Sequence, residues 1–526
     1  MVMEQLAKDK SNLSLYFTKT DKMLLISTLV AFLICYSYRL FTFALTHDSI
    51  LGLYVPDDLV NWEILLGRYV GAFYLNFRGF TTAPMILAIW MFAGIYFSQY
   101  LFVRIFNLKD KVSVILLPVF FCCNIMLIDA FGIYADWVDK FAFSEFLSIL
   151  AVYLVIKNSK SAFIASIVFN FLSNGIYQVN LQVFAAVTVL YCVLRLVNND
   201  SIADVLKLAF KCFVSLALGA VVYYVGLKLV QAFYNVDFNQ NGGYNSIANT
   251  FNFLDQNLFA LLLNTHADFC HSLTYYIRYC TSSTRWLVYV TLVFTLAVLL
   301  IKTPGIYKKL LVALLLIVVL PIVANFAYFI SVGSNGLHSK YSVAMCLSFC
   351  LVACNYVNFD VKKVLLKIKY VVYVCVFLIG YYNILVSNTF YIQLDRGFFV
   401  TANLYSKVLN DLYSRDDFNY VKNKVYFCGD PNKIKNLTWL NARKNLERGY
   451  FDFNFPGFSN STVYSTTYPA TVGWYIHEIM RQQLLVEHVD DKMYEELNIK
   501  EMPSYPSKGY IKHVGNDFIV KLSDFR

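Results

Sequence analysis

The sequence predicts an α-helical polytopic membrane protein that ends in a small extracytoplasmic α/β domain. Three observations lead there. Of the 526 residues, 58% are hydrophobic and only 15% are charged, which is too apolar for a soluble chain of this length. The apolar residues gather into about eleven runs, each close to the ~20 residues that a helix needs to cross a bilayer. Past about residue 395 the runs stop, and short alternating patterns separated by turn residues replace them.

The runs lie at about 23–45, 80–103, 112–130, 140–156, 161–176, 179–195, 205–231, 285–301, 310–330, 341–357 and 370–388. The first follows Lys8, Lys10, Lys19 and Lys22, has full span length and lacks a small-residue cleavage site. It therefore reads as a retained span and not as a cleaved signal. The connections set the orientation. With the N-terminus cytoplasmic, the inner segments carry about 19 Lys and Arg and the outer connections about 5, the asymmetry that positively charged inner loops produce. An odd number of spans then places the tail outside. The net charge of +10 is scattered between apolar runs and forms no basic stripe. This excludes nucleic acid as a partner and points to anionic membrane lipid.

The first outer connection, 46–79, is the unusual one. It holds Asp48, Asp57, Asp58 and Glu63, then Arg68 and Arg78, where bilayer meets water. Ionisable groups at that depth are expensive unless paired or hydrated, so a functional role is the default expectation. Glu63 alone reads as the cover of a polar helix face. Connection 232–284 is long and rich in Asn and aromatic residues, and Phe251 to Leu263 has an amphipathic pattern suited to the interface plane. In the tail, Arg396 to Arg415 reads as an amphipathic helix, Lys424 to Cys428 as a strand, Thr471 to Val486 as a helix, and Tyr510 to Leu522 as a hairpin turning at Gly515-Asn516. The expected organisation is a polytopic domain 1–395 and an extracytoplasmic domain 396–526.

Acids, cations and amides are all expected on one side of the membrane. Arg39 and Lys228 sit near the outer ends of their spans. Each would cost about 2.5–3.5 kcal/mol at a helix centre, less near the interface. They either snorkel to headgroups or hold the phosphate of a lipid-linked substrate. Asp129, Asp136, Asp139 and Glu145 add acids, Tyr177-Gln178 falls at an outer tip, and His338 and Lys340 lie in the last outer loop. Glycosyl transfer suits that set. It needs a carboxylate to take a proton from an acceptor hydroxyl, cations to stabilise a departing phosphate, and amides and aromatics to hold sugar.

The stretch from Asp48 through Pro56-Asp57 to Gly67-Arg68-Tyr69 resembles the first outer loop of the bacterial serotype-converting O-antigen glucosyltransferases. Gly175-Ile176-Tyr177-Gln178 resembles that family's Tyr-Gln step. The run from Met502-Pro503 to Gly509, followed by Phe518 to Leu522, resembles its C-terminal ending. The resemblance implies a GT-C type membrane glycosyltransferase in the bacterial inner membrane. Its partners would be an undecaprenyl-phosphate-linked sugar and a surface polysaccharide acceptor. It also implies an essential acid in the first outer loop. Asp48 matches that position best and takes the catalytic-base role, with Asp57 and Asp58 as second choices and Arg68 as a donor-binding or loop-organising residue. The acidic pair is Asp57-Asp58 and not a separated Asp-x-Asp, which leaves metal use open. Carboxylate-bound Mg²⁺ or Mn²⁺ is chemically reasonable. The rival class is a transporter or flippase of a lipid-linked glycan, which would want charges along a path through the bilayer and not at one end of it.

Overall fold

The computed structural model describes residues 18–42, 56–234, 253–275, 285–332, 339–357, 363–429, 434, 472–473 and 475–524; the side chains of 56–59, 363–366, 393, 397, 400 and 488 fall outside that description. The protein is predominantly α-helical. In chain order the α-helices among the described residues are α1 (Lys19–Leu40), α2 (Pro56–Leu65), α3 (Tyr69–Arg78), α4 (Pro84–Ile105), α5 (Lys111–Leu116), α6 (Pro118–Phe121), α7 (Ile125–Ile133), α8 (Val138–Ile156), α9 (Lys160–Ile176), α10 (Leu181–Val197), α11 (Ile202–Tyr234), α12 (Leu258–Tyr275), α13 (Arg285–Lys302), α14 (Ile306–Leu314), α15 (Leu320–Ala324), α16 (Phe326–Ile330), α17 (Ser342–Asn355), α18 (Lys363–Tyr413) and α19 (Asp491–Glu496).

Among the described residues, eight helical stretches are long and apolar enough to cross a membrane. The other three expected spans form α8, α9 and α17, of 19, 17 and 14 residues. The first of these carries Asp139, Lys140 and Glu145, and the other two fall short of the ~20 residues of a simple crossing. Local chemistry sets several boundaries. Pro56, Pro84 and Pro118 each open a helix at the position where the missing N–H costs nothing. Ser159 caps α9 by accepting from the Ala162 N–H, and Asp110 caps α5 by accepting from the Ser113 N–H.

The chain divides into two compact units: 1–40, 60–131 and 137–387 form one; 41–59, 132–136 and 388–526 form the other. In the first, α4 packs along α8, and α8 along α9. Gly94 makes the first crossing close, because a Cβ there would stand 2.8 Å from the Ala142 carbonyl carbon. Small polar side chains join the other helices. Ser144 and Ser148 lie 3.0 and 2.8 Å from the Ser173 hydroxyl, and Ser166 pairs with Ser215 at 2.7 Å. This is the packing used where helices gain little from apolar burial against lipid.

The second unit contains a four-stranded sheet of order β2-β1-β4-β3, with β1 Lys424–Cys428, β2 Leu485–His488, β3 Ile511–Val514 and β4 Asp517–Lys521. Strand β1 is parallel to both neighbours, and β3 and β4 form the antiparallel hairpin. Tyr405, Leu409 and Leu412 of α18 join Val425, Phe427, Phe518 and Val520 in its core. One expectation needs correction. Thr471 to Val486 is not one helix: a π-helical turn covers Tyr475–Ile479, and β2 begins at Leu485. The pairing of Val486 beside Val425 decides the conformation there over local propensity. The helix expected over Arg396 to Arg415 is the C-terminal part of α18, which runs 51 residues from Lys363 to Tyr413. No proline interrupts it.

The close crossing at Gly94 yields a test. Gly94→Val should destabilise the purified protein by about 1–3 kcal/mol through overpacking. Ile89→Ala, on an exposed position of the same helix, should change its thermal midpoint in detergent little.

Candidate functional site

The short helices α2 and α3 meet at Leu66-Gly67-Arg68. Gly67 has φ 73°, a backbone state that favours glycine. Gln178 pins this turn by donating to the Leu66 carbonyl at 2.7 Å and to the Tyr223 hydroxyl at 3.1 Å. The Tyr223 hydroxyl donates in turn to the Gly67 carbonyl at 3.0 Å. Tyr69 stacks on Tyr223 with ring centroids 5.7 Å apart and donates to its carbonyl at 2.9 Å. Burial above all, then the neighbouring Tyr223, pushes the Tyr69 hydroxyl well above the usual phenol range, so it stays a donor.

This scaffold buries a charge cluster. Glu63, 0% exposed, receives a hydrogen bond from the Lys140 ammonium group and lies 3.7 Å from Arg68. Lys140 is itself fully buried, with its nitrogen 5.5 Å from the centre of the Trp137 ring. The Arg68 guanidinium lies over the Tyr177 ring at 4.8 Å. Gly71 makes room for the carboxylate: a Cβ there would come 3.0 Å from Glu63 Oε2. One residue before Lys140, Asp139 pairs with Arg78 at 2.7 Å and accepts from the Tyr74 hydroxyl at 2.8 Å. Burial first, and then Asp139, raises the Tyr74 hydroxyl far above its ordinary value.

Among the described side chains of this cluster, three cationic residues face two carboxylic acids. Glu63 Oε1, Arg68 Nε and Arg78 Nε are buried and make no hydrogen bond among the described residues. Buried polar atoms are normally satisfied, so these mark unused binding capacity. The two guanidinium N–H groups can donate to an anion, while Glu63 Oε1 can only accept.

Of the residues singled out from sequence, Arg68, Tyr177 and Gln178 are brought together here. Arg39 is buried, donates from Nε to the Phe131 carbonyl at 3.2 Å and lies 5.7 Å from that ring; it does not snorkel. Lys228 is exposed and donates to Gln231 on its own helix at 3.1 Å. Lys340 belongs to a second polar group, donating to Asp268 at 2.7 Å and to Ser272 at 2.8 Å, while Asn325 donates to the same carboxylate at 2.8 Å. Asp57 and Asp58 lie in α2, with side chains outside the described ones, and Asp48 and His338 lie outside the described residues. Glu63 is corrected: it covers no solvated face but is the buried acid of the cluster. Lys140 was missed, although a lone lysine between Asp139 and an apolar run was a visible signal. Among the described residues, no group of three or more His, Cys, Asp or Glu gathers as a metal site.

The family model for Glucosyl transferase GtrII matches residues 37–344. The chain belongs to this family. Every residue of the charge cluster falls within the GtrII match, as does the Lys340–Asp268 group, while the C-terminal sheet lies beyond it. Membership points to glycosyl transfer in general by a membrane-embedded protein. No curated protein matches the chain, and neither does any solved structure.

The buried pair supports a double-mutant test. Glu63→Leu alone strands Lys140 without its partner and should cost about 3–5 kcal/mol. Adding Lys140→Met should recover most of that loss, because an apolar pair replaces a desolvated ionic one. Thermal midpoints of the two single variants and the double variant in detergent measure the coupling.

Proposed function

We propose that the protein moves a hexose, glucose, from a polyprenyl-phosphate carrier to a surface polysaccharide such as O-antigen. The reading places the reaction at the extracytoplasmic face of a bacterial inner membrane, in a chain of eleven spans with its N-terminus cytoplasmic. The buried cluster of Arg68, Arg78 and Lys140 against Glu63 and Asp139 carries this reading. Its Arg68 and Arg78 belong to the C-terminal half of the connection that also contains Asp48.

In the reaction the bond between the sugar's anomeric carbon and the phosphate oxygen breaks, and a bond to the acceptor oxygen forms. Asp48 takes the acceptor's hydroxyl proton, and the electron pair leaves with the phosphate. Arg68 and its neighbours stabilise that developing charge in a site already screened from water. Tyr177 holds the Arg68 guanidinium in place, and Gln178 holds the turn that carries it. Mg²⁺ or Mn²⁺ has no assigned role in this scheme.

The test is the sugar composition of the host polysaccharide with and without the protein. Glucose should appear only with it. Asp48→Asn should keep the protein in the membrane and abolish the addition, and Arg68→Ala should slow it by about 10²–10³. A polysaccharide unchanged by the protein's presence contradicts the reading. Full addition by Asp48→Asn removes Asp48 from the chemistry.

A further inference from the structure

Beside the charge cluster lies a cavity of about 610 Å³, formed by α3, α4 and α8. Phe77, Trp90, Phe97, Phe143 and Phe146 line it, and so does Arg78. Its aromatic walls are continuous: Tyr74 stacks on Phe143 at 6.0 Å, Phe143 contacts Phe146 at 6.0 Å, and Phe146 contacts Phe97 at 5.7 Å. Ala93 and Gly94 also line it and put almost no side chain there. The volume is in the range that encloses much of a small ligand.

We propose that this groove seats the first isoprene units of a polyprenyl chain whose phosphodiester head lies on the Arg78 side of the charge cluster. The inference rests on the transferase reading above and adds where the carrier lipid sits. Four features support it. Phe77 is 84% exposed, and Trp90 and Phe97 are also exposed, on or beside a helix long enough to cross the bilayer. The groove therefore fills from the lipid phase. The Arg78 side chain is 4% exposed, yet its Nε makes no hydrogen bond among the described residues. Among its described side chains the cluster has one more cationic than acidic residue, a balance suited to the single negative charge of a phosphodiester. Ala93 lines the groove with a single methyl group and so leaves room for methyl branches, which pack on aromatic faces where a straight chain makes fewer contacts.

Photo-crosslinking tests this in the full-length protein in nanodiscs, using a diazirine-bearing polyprenyl phosphate-glucose and, separately, a diazirine-bearing phosphatidylglycerol. The polyprenyl probe should label peptides from 73–97 and 143–146, and unlabelled polyprenyl phosphate-glucose should compete. Equal labelling of these peptides by phosphatidylglycerol, with cross-competition, makes the groove an ordinary bilayer contact and overturns the proposal. Ala93→Phe, which obstructs the groove, should raise KM for the polyprenyl donor about tenfold with kcat little changed, and should weaken the photolabelling of these peptides in parallel. Unchanged KM and unchanged labelling in Ala93→Phe also overturn it. Loss of transfer by wild type with every donor would instead contradict the transferase reading, and the labelling pattern would still decide the groove.

Discussion

The arrangement of the membrane unit around its candidate site depends on one interaction: the Glu63–Lys140 ion pair, buried completely on both sides. Moving two charges out of water is costly, and mutual attraction offsets the cost only with close geometry and further polar partners. The surroundings supply both. Arg68 stands on the far side of the carboxylate, Trp137 and Phe141 lie against the ammonium group, and Gly71 withholds the side chain that would push the carboxylate away. The pair joins the segment after the first span to α8. The Gln178 and Tyr223 hydrogen bonds then tie the same segment to the turn that follows α9 and to α11.

A conserving solution would have been an apolar contact, which is often as stable as a buried ion pair. Retaining charge here makes sense when the charge has work to do. The cations are pre-placed, water is largely excluded, and the aromatic and backbone contacts hold them without rearrangement. That is the condition under which electrostatic stabilisation of a bound or developing negative charge is strongest. The Lys340–Asp268 group repeats the logic on a smaller scale: a partly buried pair with Asn325 and Ser272 filling the remaining bonds.

Much of the helical layout was legible, because apolar runs of span length have few alternative fates. Strand β1 and the final hairpin were legible for the same kind of reason: alternating Lys424 to Cys428 and the Gly515-Asn516 turn signal local structure directly. Long-range pairing was not. Glu63 looks like any polar helix residue in sequence, and only the position of Lys140, seventy-seven residues later, makes it a buried acid. Strand β2 was hidden because its conformation is set by pairing with β1, not by its own residues. Arg68, Tyr177 and Gln178 were found through motif resemblance; their contacts with one another and with Tyr223 lie between segments that sequence spacing does not relate.

The most direct test of the account is a cell-free transfer assay. Purified protein in detergent would be given polyprenyl phosphate with labelled glucose and an acceptor polysaccharide. The account predicts that label moves to the polysaccharide, and that Lys140→Met, which removes one cation of the cluster, transfers far less at equal folded concentration. No transfer in detergent, together with translocation of the intact lipid-linked sugar across liposomes, would contradict it and identify a flippase.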